Sequence, residues 1–232
     1  MTSTMDETKQ ARALPREVRN PCLHHVGIKT RNMDEFLGWY RIVVGMEVVR
    51  TFPSAVFASN DASNHRLSIF TGAEADSERG GHAGLHHLAF EFGSLEELLG
   101  NYVRLKEHGI MPYMTVNHGP TTSFYYVDPD GNDVELQVDN FHDWEKSKHF
   151  MCTSDEFGGN PVGSWVDPER LVAAWEAGAS ADEIHQRGYF TGEFAPTEPP
   201  RLRPVPGVDI DQVLRLGYVD GKLPGERHPL GQ

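Results

Sequence analysis

The chain has 232 residues, a formal net charge of −13 and two cysteines, Cys22 and Cys152. So acidic a chain, with no basic stripe to neutralise phosphates, is not expected to bind nucleic acid, and no apolar run of about 18 residues predicts a membrane span. Residues 1–20 lack the apolar core of a signal peptide and the cysteines lack metal-site spacing, so the simplest expectation is a reduced cytoplasmic protein.

In chain order, residues 1–20 read as a flexible arm, and Pro21 opens the ordered part. A first strand is predicted from about Leu23 to Thr30. Asn32 then offers an N-cap before an acidic first turn, Asp34 and Glu35. The spacing of Phe36, Trp39, Tyr40 and Val43 predicts a helix over 33–43, ended by Gly45. Residues 47–52, 55–59 and 65–71 read as three strands. The stretch 72–84 has no apolar period and reads as a linker. The same order then returns. A strand is predicted over 85–92, and Ser94 with Glu97 forms a capping box for a helix running to about Glu107. Gly109 is a C-cap candidate. Strands follow near 111–117, 122–127 and 132–139, the last two joined by the turn Asp128-Pro129-Asp130-Gly131-Asn132. After residue 140 the pattern changes. Helices are predicted near 142–150, 168–177 and 181–187, and 194–207 is rich in proline. The tail 141–232 reads as an appendage that wraps the sheet, covers a site or makes a subunit contact.

The repeat carries the chemistry. Leu23-His24-His25-Val26-Gly27-Ile28-Lys29 is nearly repeated as Leu85-His86-His87-Leu88-Ala89-Phe90-Glu91. Side chains alternate along a strand, so one face of each run is bulky and apolar, as under a helix. The other holds His25 with Gly27 and Lys29, or His87 with Ala89 and Glu91. In the strand 133–138, Asp133, Glu135 and Gln137 oppose Val134, Leu136 and Val138. Two imidazoles and a carboxylate beside small residues suggest a metal site with open positions. The facing rule favours His25 and His87 over His24 and His86. It leaves Asp133 and Glu91 in competition with Glu135.

The two His-bearing strands and Asp-Pro-Asp-Gly-Asn-Asp-Val-Glu-Leu resemble the vicinal oxygen chelate superfamily (glyoxalase, bleomycin resistance and dioxygenase proteins). Within it the likeness is greatest to short type I extradiol ring-cleavage dioxygenases, and it covers about 23–140. That resemblance implies an α+β fold: paired βαβββ modules, about 21–72 and 84–140, forming a cup-shaped mixed sheet around a metal site, with a helical C-terminal extension. It selects Glu135, and so His25, His87 and Glu135 as ligands. Fosfomycin-modifying transferases and 4-hydroxyphenylpyruvate dioxygenases share such a triad. His118 in Asn117-His118-Gly119 and Tyr125 in Ser123-Phe124-Tyr125 resemble the residues the family places beside the substrate. His65 resembles the distal His of the oxygen site. The further module that two-module enzymes carry before the metal-bearing one is missing.

Two His and one carboxylate on one face typify non-haem Fe(II) oxygenases. The resemblance therefore implies Fe(II), with Mn(II) as the alternative, a small aromatic diol and O2 as reactants, and a homo-oligomer. His118 and Tyr125 would be acid–base partners of the substrate oxygens, and His65 would move protons on the oxygen side. Tyr126 is the rival of Tyr125 on the opposite face, and Tyr125 falls opposite Glu135 if the turn lies midway between them. The remaining histidines, His82, His142, His149, His185 and His228, read as surface or loop residues. The alternatives are a metal-dependent lyase, isomerase or transferase of the superfamily, or a non-enzymatic binding protein of that fold.

Overall fold

The computed structural model describes residues 22–74, 84–202 and 208–226. The expected arm 1–20, most of the linker 72–84, the end of the proline-rich stretch, His82 and His228 lie outside them.

Each half of the repeat builds the same unit. In the first, β1 (Val26–Thr30) leads into α1 (Met33–Val44) and then β2 (Glu47–Phe52), β3 (Ala55–Ser59) and β4 (Leu67–Thr71). Asn32 caps α1 by accepting from the Glu35 amide, and Gly45 closes it in the left-handed region at φ 67°, a conformation open to glycine without steric cost. In the second, β5 (His87–Phe92) leads into α2 (Leu95–Glu107), then β6 (Met114–Asn117), β7 (Thr121–Val127) and β8 (Asp133–Asp139). Ser94 caps α2 in the same way. The fold is α+β with two mixed sheets, ordered β1-β4-β3-β2 and β5-β8-β7-β6-β9, where β9 (Ser164–Trp165) comes from the extension.

The alternation read from the sequence sets which faces meet. Leu88, Val134, Leu136 and Val138 turn inward with Phe36, Tyr40, Val43, Leu98, Tyr102 and Leu105, so both helices and both sheets share one core. Burying such side chains contributes about 1.5–3 kcal/mol each. Polar contacts also join the units. The buried Tyr40 hydroxyl donates to Asp128 at 3.2 Å, and Arg31 pairs with Asp130 at 2.8 Å.

Among the described residues, the extension has no core cluster of its own. It runs through α3 (Trp144–Thr153), α4 (Asp155–Gly159), the short β9 (Ser164–Trp165), α5 (Pro168–Glu176), α6 (Ala181–Thr191), α7 (Ile210–Leu216) and a 3₁₀ turn at Pro224–Glu226. Val166, Leu171, Ile184 and Phe194 enter the shared core. β9 joins the second sheet antiparallel to β6, Val116 opposite Trp165. A two-residue strand has too few positions to show a period, which is why the sequence did not announce it.

The structure shifts some element starts. β1 begins at Val26 rather than Leu23 because the parallel ladder with β4 begins only at Val26–Leu67. β4 likewise begins after His65. The pairs His24-His25 and His65 therefore stand just before their strands. α3 starts at Trp144 because His142, at φ 51°, turns the chain and Asp143 caps the helix. His185 is a correction. Expected at the surface or in a loop, it lies on α6 and is 5% exposed. It packs against Phe141, a long-range contact that no local pattern shows, and stacks on Tyr189 one turn along the same helix.

Candidate active site

β5 and β8 run parallel, with His87 opposite Asp133 and Ala89 opposite Glu135. His87 and Glu135 thus share a face one step apart along neighbouring strands. His87 Nε2 lies 3.0 Å from Glu135 Oε2. Glu135 is 5% exposed. Burial pushes its carboxyl up, but hydrogen bonds from His87 and Ser123 outweigh that and hold it below the usual carboxylate range. The hydrogen bond to Glu135 raises the His87 imidazole despite partial burial. His86, one residue before, leaves that face and its Nδ1 lies 2.8 Å from Nδ1 of His87.

β7 pairs antiparallel with β8, and Tyr125 falls opposite Glu135, as the turn length suggested. The Tyr125 ring stands edge-on to His87 at 5.8 Å, and its hydroxyl lies 3.0 Å from His118 Nε2. His118 Nδ1 lies 2.7 Å from the Val162 carbonyl. A carbonyl only accepts, so Nδ1 carries the proton. Burial lowers the His118 pKa, so the ring is neutral, and a neutral imidazole has one N–H. Nε2 therefore presents its lone pair and accepts from the Tyr125 hydroxyl. The phenol is held protonated, first by burial and then by the negative charge of Glu135.

The loop that carries His118 is braced from both sides. Asn117 Oδ1 accepts from the Gly119 amide and from Asn140 Nδ2. Its own Nδ2 donates to His185 Nδ1 at 3.2 Å. Asn140 Nδ2 also donates to the Gly119 carbonyl. Nothing in the sequence pointed to Asn140 or Val162, while Asn117 entered only beside His118 and His185 only as a surface or loop residue. Their contacts span 21 to 68 positions, and nothing local marks such contacts.

His25 and His65 lie elsewhere. The His25 and His65 ring centroids are 4.4 Å apart, His24 lies beside both, and His65 stacks on Phe57 at 4.7 Å. Among the described residues, the set of three possible ligand groups gathered within 4.8 Å is His24, His25 and His65; His25, His87 and Glu135 do not form one. The strand direction gives the reason. The end of β1 meets the second unit: both the Arg31 amide and its Nε donate to Asp130, in the turn leading to Asp133 and so to His87. His25 lies back along the chain by about 20 Å at about 3.3 Å per residue. One chain therefore presents two groups on two sheets: His25 with His65, and His87 with Glu135, Tyr125 and His118.

Comparison with known proteins places the fold. Residues 22–136 match the family described as Glyoxalase/Bleomycin resistance protein/Dioxygenase superfamily. The chain belongs to that superfamily. It is 39% identical over 165 residues to biphenyl-2,3-diol 1,2-dioxygenase 2 of Rhodococcus globerulus, covering 71% of this chain and 86% of that protein. It is 36% identical over 171 residues to biphenyl-2,3-diol 1,2-dioxygenase 3 of the same organism, covering 73% and 90%. Similar solved structures include a lactoylglutathione lyase from Agrobacterium tumefaciens, with TM-score 0.42, 24% identity and coverage of 52% of this chain and 96% of that one.

Proposed function

We propose that the protein is an extradiol dioxygenase that opens the ring of a catechol-type substrate with O2, using Fe(II) held by His25, His87 and Glu135. The observation that carries this is the second-sheet group: a buried carboxylate 3.0 Å from an imidazole, beside a phenol whose hydroxyl lies 3.0 Å from a second imidazole. The names of the two Rhodococcus relatives, 39% and 36% identical to this chain over 165 and 171 residues, support the ring-cleaving reading and a dihydroxylated aromatic substrate.

The residues fit an iron ion. His87 Nε2 and Glu135 Oε2 are 3.0 Å apart, the spacing of two adjacent ligands when metal–ligand bonds are about 2.1 Å. Their oxygen and nitrogen donors suit ferrous iron and leave further positions open. When bound, the ion supplies a place where both catechol oxygens and O2 are held together. The chain's own groups do the proton work. His118 Nε2, through or beside Tyr125, takes a proton from a substrate hydroxyl, and the Tyr125 phenol donates one back to an oxygen in front of it. Ala89, exposed on the same face of β5, leaves room for the ring. His65 handles protons on the oxygen side.

His25 and His65 reach this group from a second copy of the chain. In one chain they are held apart by the direction of β1. Their sheet also leaves apolar side chains in the open: Val48, Val49, Phe52 and Phe70 are 41–52% exposed, and every residue of β2 is exposed. Exposed apolar side chains gathered on one sheet are what an interaction surface offers. A two-fold dimer gives each site His25 and His65 of the partner subunit and His87, Glu135, Tyr125 and His118 of its own.

The test is anaerobic loading with Fe(II) followed by a panel of catechols in air, 2,3-dihydroxybiphenyl included. Expected are one iron per chain and a yellow ring-fission product. His87→Ala and Glu135→Ala are expected to lose iron with circular dichroism unchanged, while His24→Ala and His86→Ala keep it. Iron retained in Glu135→Ala but lost in His24→Ala places the ion in the trio of His24, His25 and His65 and sinks the assignment.

A further inference from the structure

We infer that the backbone carbonyl of Val162, contributed by the C-terminal extension, is a positioning group that fixes the tautomer of His118 and so aims its lone pair at Tyr125 and the substrate. This rests on the reading of His118 as the proton acceptor.

The geometry is built for that contact. Val162 precedes β9, and the chain there comes so close to the His118 loop that a side chain at residue 163 has no space. A Cβ on Gly163 would lie 2.1 Å from the Asn117 carbonyl oxygen and 2.6 Å from His118 Cα, and its φ is 86°. Only glycine meets both conditions. The turn before it is fastened. Asn160 Nδ2 donates to the Gly163 carbonyl at 3.0 Å and to the Leu216 carbonyl at 2.6 Å, and the Gly163 amide donates to Asn160 Oδ1 at 3.2 Å. The β9–β6 pairing, Ser164 opposite Asn117, holds the next residues. With these restraints, the Val162 carbonyl meets His118 Nδ1 at 2.7 Å. Because the carbonyl cannot donate, the proton must sit on Nδ1, and Nε2 is left to accept from Tyr125 at 3.0 Å. Without the carbonyl, either nitrogen can carry the proton. The form protonated on Nε2 cannot accept from the phenol or from a substrate hydroxyl.

The extension also keeps this pair dry. Trp165, Ala195 and Tyr218 cluster with Tyr125, and Val162, Leu202, Val213 and Leu223 pack against them. The tail is therefore part of the proton machinery, and its helices serve to place one carbonyl oxygen and to exclude water.

The experiment reads the tautomer directly. The iron-free full-length chain is labelled with ¹⁵N histidine, and His118 is assigned by loss of its signals in His118→Phe. The expected spectrum shows Nδ1 protonated and Nε2 bare at pH 7.5. Asn160→Ala, which loosens the turn, and Gly163→Ala, which displaces it, are expected to show mixed tautomers. With Fe(II) and 2,3-dihydroxybiphenyl, kcat is expected to fall at least about tenfold in both, the low end of an acid–base contribution being somewhat larger, with KM within about threefold. Arg187→Ala breaks an exposed tail ion pair with Glu193 and is expected to leave kcat and the spectrum unchanged. If Gly163→Ala does not fold, the wild-type spectrum and Asn160→Ala decide. A wild-type His118 protonated on Nε2 overturns the inference. So does a scrambled tautomer with full kcat, or an equal loss of kcat in Arg187→Ala. A wild type with the expected spectrum that leaves every catechol intact overturns the ring-cleavage reading instead.

Discussion

Glu135 and Tyr125 face each other across one rung of a ladder and hold opposite protonation states for physical reasons. Burial alone favours the neutral form of both. Only Glu135 has donors, His87 and Ser123, strong enough to keep it charged, and its charge then raises the barrier to ionising Tyr125. In the proposed site the pair would supply a fixed anion to hold the ion and a phenol to pass protons between a substrate oxygen and His118. Tyr125→Phe and His118→Phe are therefore expected to retain iron and bind catechol while losing turnover by roughly 10² to 10⁴, measured by ring-fission absorbance and iron analysis. Tyr126 is the control. It sits opposite Val134, turns into the core, and among the described residues its buried hydroxyl has no partner. Tyr126→Phe is expected to turn over at the wild-type rate and to melt at the same temperature or higher. Removing an unpaired buried hydroxyl regains about 1 kcal/mol. A dead Tyr126→Phe beside an active Tyr125→Phe would move the register by one residue.

At the scale of elements, β9 and α6 decide whether the His118 loop is held. Gly217 lies against the buried Trp165 ring, whose Nε1 donates to the Leu214 carbonyl at 2.8 Å. A Cβ on Gly217 would fall 1.8 Å from that nitrogen. Gly217→Ala is expected to destabilise by about 1–3 kcal/mol, the usual cost of overpacking, and to lower kcat as β9 shifts. Urea titration and turnover check it. α6 supplies a pH dependence. Burial pulls His185 from 6.5 to about 4, so between these values the unfolded chain binds more protons than the folded one. Its contribution is intact above pH 6.5 and is lost as the pH falls toward and through about 4, by up to about 3 kcal/mol. His185→Phe is expected to flatten the fall in stability over that interval; an unchanged slope would refute it. The alternation of β5 and β8 put His87 and Glu135 on one face on paper, because strand facing is local, while the choice of Glu135 over Asp133 and Glu91, and of Tyr125 over Tyr126, came from the family resemblance. The Val162 carbonyl and the burial of His185 were not legible, because they depend on a two-residue strand and a helix face meeting a distant loop.

At the scale of the whole molecule, the repeat explains both what one chain has and what it lacks. Each βαβββ unit brings a His pair to the start of its first strand. The two units share one core, which turns the start of β1 away from the start of β5. The repeat predicted His25 and His87 at equivalent positions within their units. It could not predict which copy of the first unit faces which copy of the second, since the same strands and helices serve either pairing. The proposed dimer gives a sharp test. His25→Ala and Glu135→Ala are each expected to be inactive, since every site in either homodimer lacks one ligand. Mixed at equal concentration after unfolding and refolding together, half of the dimers contain one copy of each. Such a dimer has one site lacking both ligands and one site with both intact, because His25 of the Glu135→Ala chain meets Glu135 of the His25→Ala chain. The mixture is expected to recover about a quarter of wild-type turnover, as closed two-fold symmetry with shared sites requires. Mixing His87→Ala with Glu135→Ala restores nothing, because those ligands come from the same copy. Recovery in that second mixture would show that His87 and Glu135 come from different copies; none in the first, despite a dimer by light scattering, would show that His25 serves the site of its own chain or none at all.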